Sequence, residues 1–207
     1  MHAEAPCPPV RRLAPDARCI YLTFDDGPDD DWTPRVLGAL DRAGVRATFF
    51  VIGRAARNSP ALLRRVAAAG HEIGNHGYSH RHPWAISVAD ARAEVRDGAD
   101  AIAQSTGAMP RLYRPAFGRL RRAMSDEDAD RGQRLVLWTR SAIDWGAFGR
   151  ARGVERRISA ASAGDIVLMH DGRNRSNHPE VTVEVLPRVL HRFADRGLLV
   201  ALLPAHV

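Results

Sequence analysis

The sequence contains no lysine: all 30 basic residues are arginine, set against 24 acidic residues for a formal net charge of +6. A lysine-free, alanine-rich chain points to a compositional bias of its genome more than to a function. Aromatic residues are also scarce, at 6%. A nucleic-acid partner requires basic charge gathered on one stripe with stacking aromatics between. Here the arginines are spread along the chain and interleaved with Asp and Glu, so solvated helix faces are expected and no nucleic-acid partner. The only cysteines, Cys7 and Cys19, have neither the C-x-x-C spacing nor the second pair of a zinc ribbon. Whether they pair as a disulfide stays open. No apolar run approaches the ~18 residues of a membrane span, so no transmembrane segment is expected. The first residues, Met-His-Ala-Glu-Ala-Pro-Cys-Pro-Pro, lack the basic start and apolar stretch of a secretory signal. A cytoplasmic location is the matching expectation, with secretion the alternative if an export segment was trimmed.

What is present is enough for one domain. The chain has 207 residues, 45% of them hydrophobic, and no internal repeat, low-complexity tract or linker divides it. Residues 1–18 form a Pro-rich leader expected to be irregular, and residues 19–207 the domain. Within it, short apolar runs alternate with capped helical patterns. Strands are expected at Ile20–Phe24, Ala47–Ile52, Glu72–Asn75, Leu112–Arg114, Leu135–Thr139, Asp165–Met169 and Leu198–Leu203. Thr33-Pro34 and Ser59-Pro60 supply helix starts, and Gly44 and Gly70 supply stops. A long helix after Ser87 is expected to bury Val88, Ala91, Val95 and Ile102. A weakly helical stretch covers residues 119–131, and further helices run from Val154 to Ala161 and from Thr182 to Phe193. Strands separated by helices call for parallel pairing with right-handed crossovers. An irregular seven-stranded α/β barrel fits best, with an open doubly wound sheet as the alternative.

In parallel α/β folds the chemistry sits at the carboxyl ends of the strands. There the sequence is reactive: Asp25-Asp26 after the first strand, His76 and His80 after the third, Arg114 at the fourth, Asp144-Trp145 after the fifth, and His170 at the sixth. Side chains alternate along a strand, so Asp25 and Asp26 are expected to take different partners. His76 and His80, four apart in a Gly-rich turn, join Asp26 to offer two nitrogens and one oxygen, a donor set suited to a catalytic zinc. Such an ion acidifies a water and polarises an amide carbonyl. Asp25 is then the expected base and His170 the expected acid. Arg114 is expected to orient Asp25, Asp144 to raise the pKa of His170, and a backbone N–H near Phe117 to help stabilise an oxyanion. His2, His71, His82, His178, His191 and His206 lack a partner pattern and are expected at the surface or at helix ends.

At these residues the chain resembles the polysaccharide deacetylase family, carbohydrate esterase family 4, over about residues 19–204. Thr23 to Pro28 matches its first motif, and the resemblance implies Asp25 as base and Asp26 as metal ligand. His76 and His80 match the second motif as the remaining ligands. Arg114, Pro115, Phe117 and Gly118 match the third, Asp144-Trp145 the fourth, and Leu168-Met169-His170 the fifth. Phe117, Trp145 and Leu168 are thereby expected at the substrate or oxyanion site. The resemblance further implies a barrel of about seven strands and zinc, or alternatively cobalt or manganese. It implies removal of the N-acetyl group from N-acetylglucosamine-containing glycans, chitooligosaccharide being favoured over peptidoglycan. O-deacetylation, hydrolysis of a small amide, and a non-catalytic carbohydrate-binding role are the alternatives. Three positions depart from the family pattern: Gly77 stands for Ser or Thr, Phe117 for the commoner Tyr, and Ser141 for Asp. The missing hydroxyl at Gly77 is expected to loosen the metal loop.

Overall fold

The run Cys19–Asp25 forms the central strand, β1, because every residue from Ile20 to Asp25 is buried and its side chains divide between two layers. In a computed structural model of the chain, which describes residues 8–15 and 18–204, Ile20, Leu22 and Phe24 face an outer core shared with the helices. Tyr21 faces an inner cluster with Phe50, Leu112, Val136, Ile166 and Leu203. Thr23 and Asp25 follow Tyr21 at the strand's period of two, so the pleat carries Asp25 inward at the strand's carboxyl end.

Around β1 the chain winds strand by strand. The helices are α1 (Thr33–Arg42), α2 (Gly53–Asn58), α3 (Pro60–Ala68), α4 (Val88–Thr106), α5 (Arg122–Asp130), α6 (Ala151–Ser159) and α7 (Pro179–Asp195). The further strands are β2 (Thr48–Val51), β3 (Glu72–Asn75), β4 (Leu112–Tyr113), β5 (Arg134–Leu135), β6 (Arg140–Ser141), β7 (Ile166–His170) and β8 (Leu199–Val200). The order is β5-β4-β3-β2-β1-β7-β6, with β8 beside the first two residues of β1, and every pair is parallel.

The two outermost strands in that order lie at the two ends of one run, 134–141, in which a single strand was expected over Leu135–Thr139. At its start the Val136 N–H donates to Tyr113 O at 2.8 Å, and at its end the Thr139 N–H donates to Ile166 O at 3.1 Å. The run crosses from β4 to β7 and so curls the sheet into an irregular barrel, which excludes the open doubly wound alternative. Taken as one strand, it leaves seven parallel strands with seven α-helices among the described residues.

Part of the leader is not irregular: Val10 bridges Val136 in parallel and Arg12 bridges Asp165. Backbone groups that the crossing run leaves unpaired are satisfied this way, since the Val10 N–H donates to Leu135 O and its carbonyl accepts from Leu137 N–H. Cys7, His2 and His206 lie outside the described residues. The N-cap of α1 is Trp32 rather than Thr33. The Thr33 hydroxyl accepts from the Asp29 N–H and donates to Asp171 instead. Val88, expected in the buried stripe of α4, is exposed, and His71, expected at the surface, is buried with Nδ1 accepting from the Ala47 N–H. Burial holds the His71 imidazole down at about 4.

The outer core gains a specific contact where Phe24 stacks on Phe49 at 5.1 Å between ring centroids, with His71 edge-on to Phe49 at 5.2 Å. Phe49→Ala opens a cavity between β2 and the helices and is expected to cost about 3–5 kcal/mol. Denaturant unfolding checks this, and a loss below about 1 kcal/mol would show that this core can collapse around the void.

Candidate active site

The barrel's carboxyl rim opens into a cavity of about 540 Å³. Of the ten residues selected from the sequence, Asp25, Asp26, His76, His80, Phe117, Trp145, Leu168 and His170 line it. Arg114 and Asp144 do not. Both are fully buried behind it and reach it through the side chains they hold.

Asp26, His76 and His80 each present one ligand atom, all within 4.8 Å of one another. Asp26 Oδ1 lies 3.5 Å from His76 Nε2 and 3.2 Å from His80 Nε2. It is buried and has no hydrogen-bond partner, whereas Oδ2 of the same carboxylate accepts from Asn174 at 2.9 Å and Asn177 at 2.6 Å. Two amides thus orient Asp26 and leave one oxygen for a cation. His76 is prepared the same way: Nδ1 lies 2.7 Å from Arg114 O and donates to it, so the lone pair is on Nε2. Burial, with a smaller contribution from the neighbouring His80 imidazole, pushes the His76 imidazole down to about 3, so it is neutral, as a ligand must be. A buried acceptor without a donor, flanked by imidazole nitrogens, is costly unless a cation satisfies it. The donor set therefore fits a divalent metal.

Asp25 and Asp26 take different partners as expected, Arg114 for the one and Asn174 and Asn177 for the other, yet both also reach His76, at 3.7 and 3.5 Å. The pleat has ended: Asp26 has φ +77°, a left-handed residue that turns its carboxylate back into the cavity. His80 (φ +60°) and Phe117 (φ +58°) are left-handed too. Such backbone costs on the order of 1–3 kcal/mol per residue and persists where surrounding structure holds it. Among the described residues, three of the five non-glycine residues with positive φ lie in this cavity.

Asp25 accepts from Arg114 Nη1 at 2.7 Å. The same guanidinium donates to Thr23 Oγ1, Val136 O and Leu137 O and lies 4.0 Å over the Phe50 ring. Burial pushes the Asp25 carboxyl up, and the charges on Arg114 and His170 offset part of that rise. Across β1, in register with Asp25, stands His170. Its Nδ1 donates to Asp144 Oδ1 at 2.8 Å, while Asp144 Oδ2 takes the His170 backbone N–H and the Thr182 hydroxyl. Burial alone would lower the His170 imidazolium, but the Asp144 charge outweighs it and raises His170 to about 9. Burial likewise opposes ionisation of Asp144, yet the His170 charge and these hydrogen bonds hold its carboxyl below the usual range. Trp145 meets the His170 ring edge-on at 5.3 Å, and Phe117, half exposed, lies tilted against His80 with 4.5 Å between ring centroids.

Several residues of the site escaped the sequence reading. Asn174 and Asn177 hold Asp26; an Asn-rich turn just past a strand end was their signal. Trp138 also lines the cavity, and its indole fills the space where Gly118 would carry a Cβ. Glu94 supports the metal loop. Gly77, at φ +83°, occupies backbone space that a Ser or Thr would strain. The loop is not slack for lack of a hydroxyl there. Glu94 on α4 accepts from the backbone N–H groups of Tyr78 and Ser79, at 3.1 and 2.8 Å, and from the Ser79 hydroxyl at 2.5 Å. One turn later, Gly98 lets the helix close on the loop, since a Cβ there would stand 2.4 Å from Asn75 Oδ1. Ser141, where the family pattern has Asp, keeps an acceptor: its hydroxyl takes the Ile143 N–H at 3.1 Å in the turn that aims Asp144 inward.

The fold and this site define a parallel α/β barrel whose rim carries an Asp–His–His cluster able to hold a cation, beside a carboxylate held by Arg114 and an imidazole held by Asp144. The sequence profile of the polysaccharide deacetylase family matches residues 12–136. The chain is 34% identical over 203 residues to a chitooligosaccharide deacetylase of Sinorhizobium fredii, covering 94% of each chain. It is 35% identical over 182 residues to a peptidoglycan-N-acetylglucosamine deacetylase of Bacillus cereus, covering 87% of this chain and 84% of that one. Among solved structures, a family 4 carbohydrate esterase from Streptomyces lividans, in complex with acetate, superposes with a TM-score of 0.82 at 31% identity. That match covers 91% of this chain and 94% of the other. The chain belongs to the polysaccharide deacetylase family, carbohydrate esterase family 4.

Glu94→Gln replaces an acceptor with an amide that cannot take all of these N–H and O–H donors. It is expected to weaken zinc affinity by about 10- to 100-fold, as for other groups that orient a metal ligand. Chelator competition measures this, and an unchanged affinity would show that the loop holds His80 without Glu94.

Proposed function

We propose that the chain is a metal-dependent N-deacetylase that hydrolyses the acetamide of N-acetylglucosamine units in an oligo- or polysaccharide and releases acetate. The observation that carries this reading is the pair of polar systems meeting in one cavity. The orphaned Asp26 Oδ1 between two imidazoles stands beside a carboxylate held by Arg114 and an imidazole held by Asp144.

A divalent cation held by Asp26, His76 and His80, zinc being the best match to two nitrogens and one oxygen, supplies Lewis-acid polarisation of the acetyl carbonyl and acidifies a water. The remaining chemistry falls to the chain's own groups. Asp25, held by Arg114, takes a proton from the attacking water as its oxygen bonds to the acetyl carbon. Arg114 cannot be the proton acceptor, because a guanidinium stays charged and its donors are spent on Asp25, Thr23 and two carbonyls.

His170 stands on the opposite side of β1 from the histidine ligands and lines the same cavity. With Nδ1 donating to Asp144, its Nε2 proton is the one available to the sugar nitrogen as the C–N bond breaks. Acetate and a free amine are the products. Trp145 and Leu168 give an apolar wall suited to the acetyl methyl, and Phe117 offers an exposed ring face suited to a sugar. Retention of both proton-transfer groups beside the cation site argues against a binding-only role.

Acetate release from N-acetylglucosamine oligomers by the metal-stripped protein, before and after zinc addition, tests the reading. Activity should depend on added metal. Asp25→Asn should retain zinc but lose about 10²- to 10⁴-fold in rate, whereas His76→Ala should lose both. Release that persists in chelator, or an Asp25→Asn variant of near wild-type rate, would contradict the assignment.

A further inference from the structure

The rim carries a second cavity of about 630 Å³, which shares Asp26, His80, Asn174 and Arg175 with the first. The two are therefore one groove with unlike ends. The first cavity holds the acid–base pair together with Trp138, Trp145 and Leu168. Beyond the cation site lie three arginines from two separate segments, Arg54 on α2 and Arg173 and Arg175 in the turn after β7.

Their charges are not equally committed. The Arg173 guanidinium bonds Glu180 at 2.5 Å and lies over the Trp32 ring. Arg54 and Arg175 have no carboxylate within ion-pair distance among the described residues, and both are exposed. Asp29, the other acidic residue lining this end, is already engaged: its oxygens accept from the backbone N–H groups of Asp31, Trp32 and Arg173. Two unpaired guanidinium groups thus face one end of a groove whose middle is the reaction site. Arginine matches a carboxylate with paired, planar donors and is less strongly hydrated than an ammonium.

Building on the proposed deacetylation, we infer that Arg54 and Arg175 form a cationic subsite for a carboxylate carried on the glycan next to the sugar being deacetylated. The enzyme then prefers an acidic acetylated glycan to a neutral one. An alternating N-acetylglucosamine and N-acetylmuramic acid tetrasaccharide offers such a carboxylate on its lactyl groups. Converting those groups to primary amides removes the charge and little else.

Two readouts separate the subsite from the reaction. Calorimetry with zinc-loaded Asp25→Asn protein measures binding without turnover, and acetate release by the wild type measures kcat/KM. At low ionic strength the acid form should bind about tenfold more tightly than the amide form, consistent with charge-assisted hydrogen bonds at an exposed site. The same preference should appear in kcat/KM. Adding Arg54→Gln and Arg175→Gln together should bring the ratio to about one. Arg152→Gln, an exposed arginine on α6, should leave it near tenfold, so that overall charge is not the cause. Equal affinity for the two forms, or a preference that survives the double substitution, overturns the subsite. Acid-selective binding with no acetate released from either form would uphold the subsite and refute the deacetylase reading.

Discussion

One buried guanidinium ties the site together. Arg114 has no solvent exposure, and its side chain spends its donors on Asp25, on Thr23 of the same strand, and on the carbonyls of Val136 and Leu137 in the run that crosses from β4 to β7. Its own carbonyl takes the His76 Nδ1 proton. A single residue therefore orients Asp25, the proposed base, fixes the tautomer of His76, a proposed metal ligand, and anchors the chain segment that curls the barrel. Removing one partner of a buried ion pair leaves an unpaired charge in low dielectric, so any change at position 114 is a change to the fold and to the chemistry together.

From that anchor the site divides along β1. On the β2–β3 side, Asp26, His76 and His80 present lone pairs, each aimed by a neighbour or by a left-handed turn. On the β7 side, Asp144 raises His170 to about 9 and leaves it a donor. Asp25, at the strand end between them, is raised by burial and held by Arg114. A carboxylate and an imidazole, each fixed by a buried partner, are what the proposed amide hydrolysis calls for, because the water must lose a proton and the amine must gain one. The groove adds Trp145 against His170 and, in the cavity that shares Asp26 and His80, the guanidinium groups of Arg54, Arg173 and Arg175.

Much of this arrangement was legible because a parallel barrel gathers its strand ends, so polar residues after apolar runs identify the site before any contact is known. Asp25, His76, Arg114, Asp144 and His170 all follow that logic. What was not legible came from contacts made at long range. Asn174 and Asn177 meet Asp26 across about 150 positions of sequence, and nothing local marks them beyond the Asn-rich turn. Glu94 left a clearer trace, a carboxylate inside the Ala91–Val95–Ile102 stripe of α4, where a charge calls for buried donors. That Asp26 also reaches His76 was not legible, because alternation holds only while the strand lasts, and a left-handed residue ends it. The crossing run read as one strand divided into two because its early and late residues pair with different neighbours.

The central claim is that Asp26, His76 and His80 together hold a catalytic cation, and its most direct test is X-ray absorption at the zinc edge on the zinc-loaded protein in solution. The account predicts a shell of nitrogen and oxygen donors at about 2.0–2.2 Å with the multiple scattering of two imidazoles and no sulfur. An all-oxygen shell, a single imidazole, or a sulfur contribution at about 2.3 Å would contradict it.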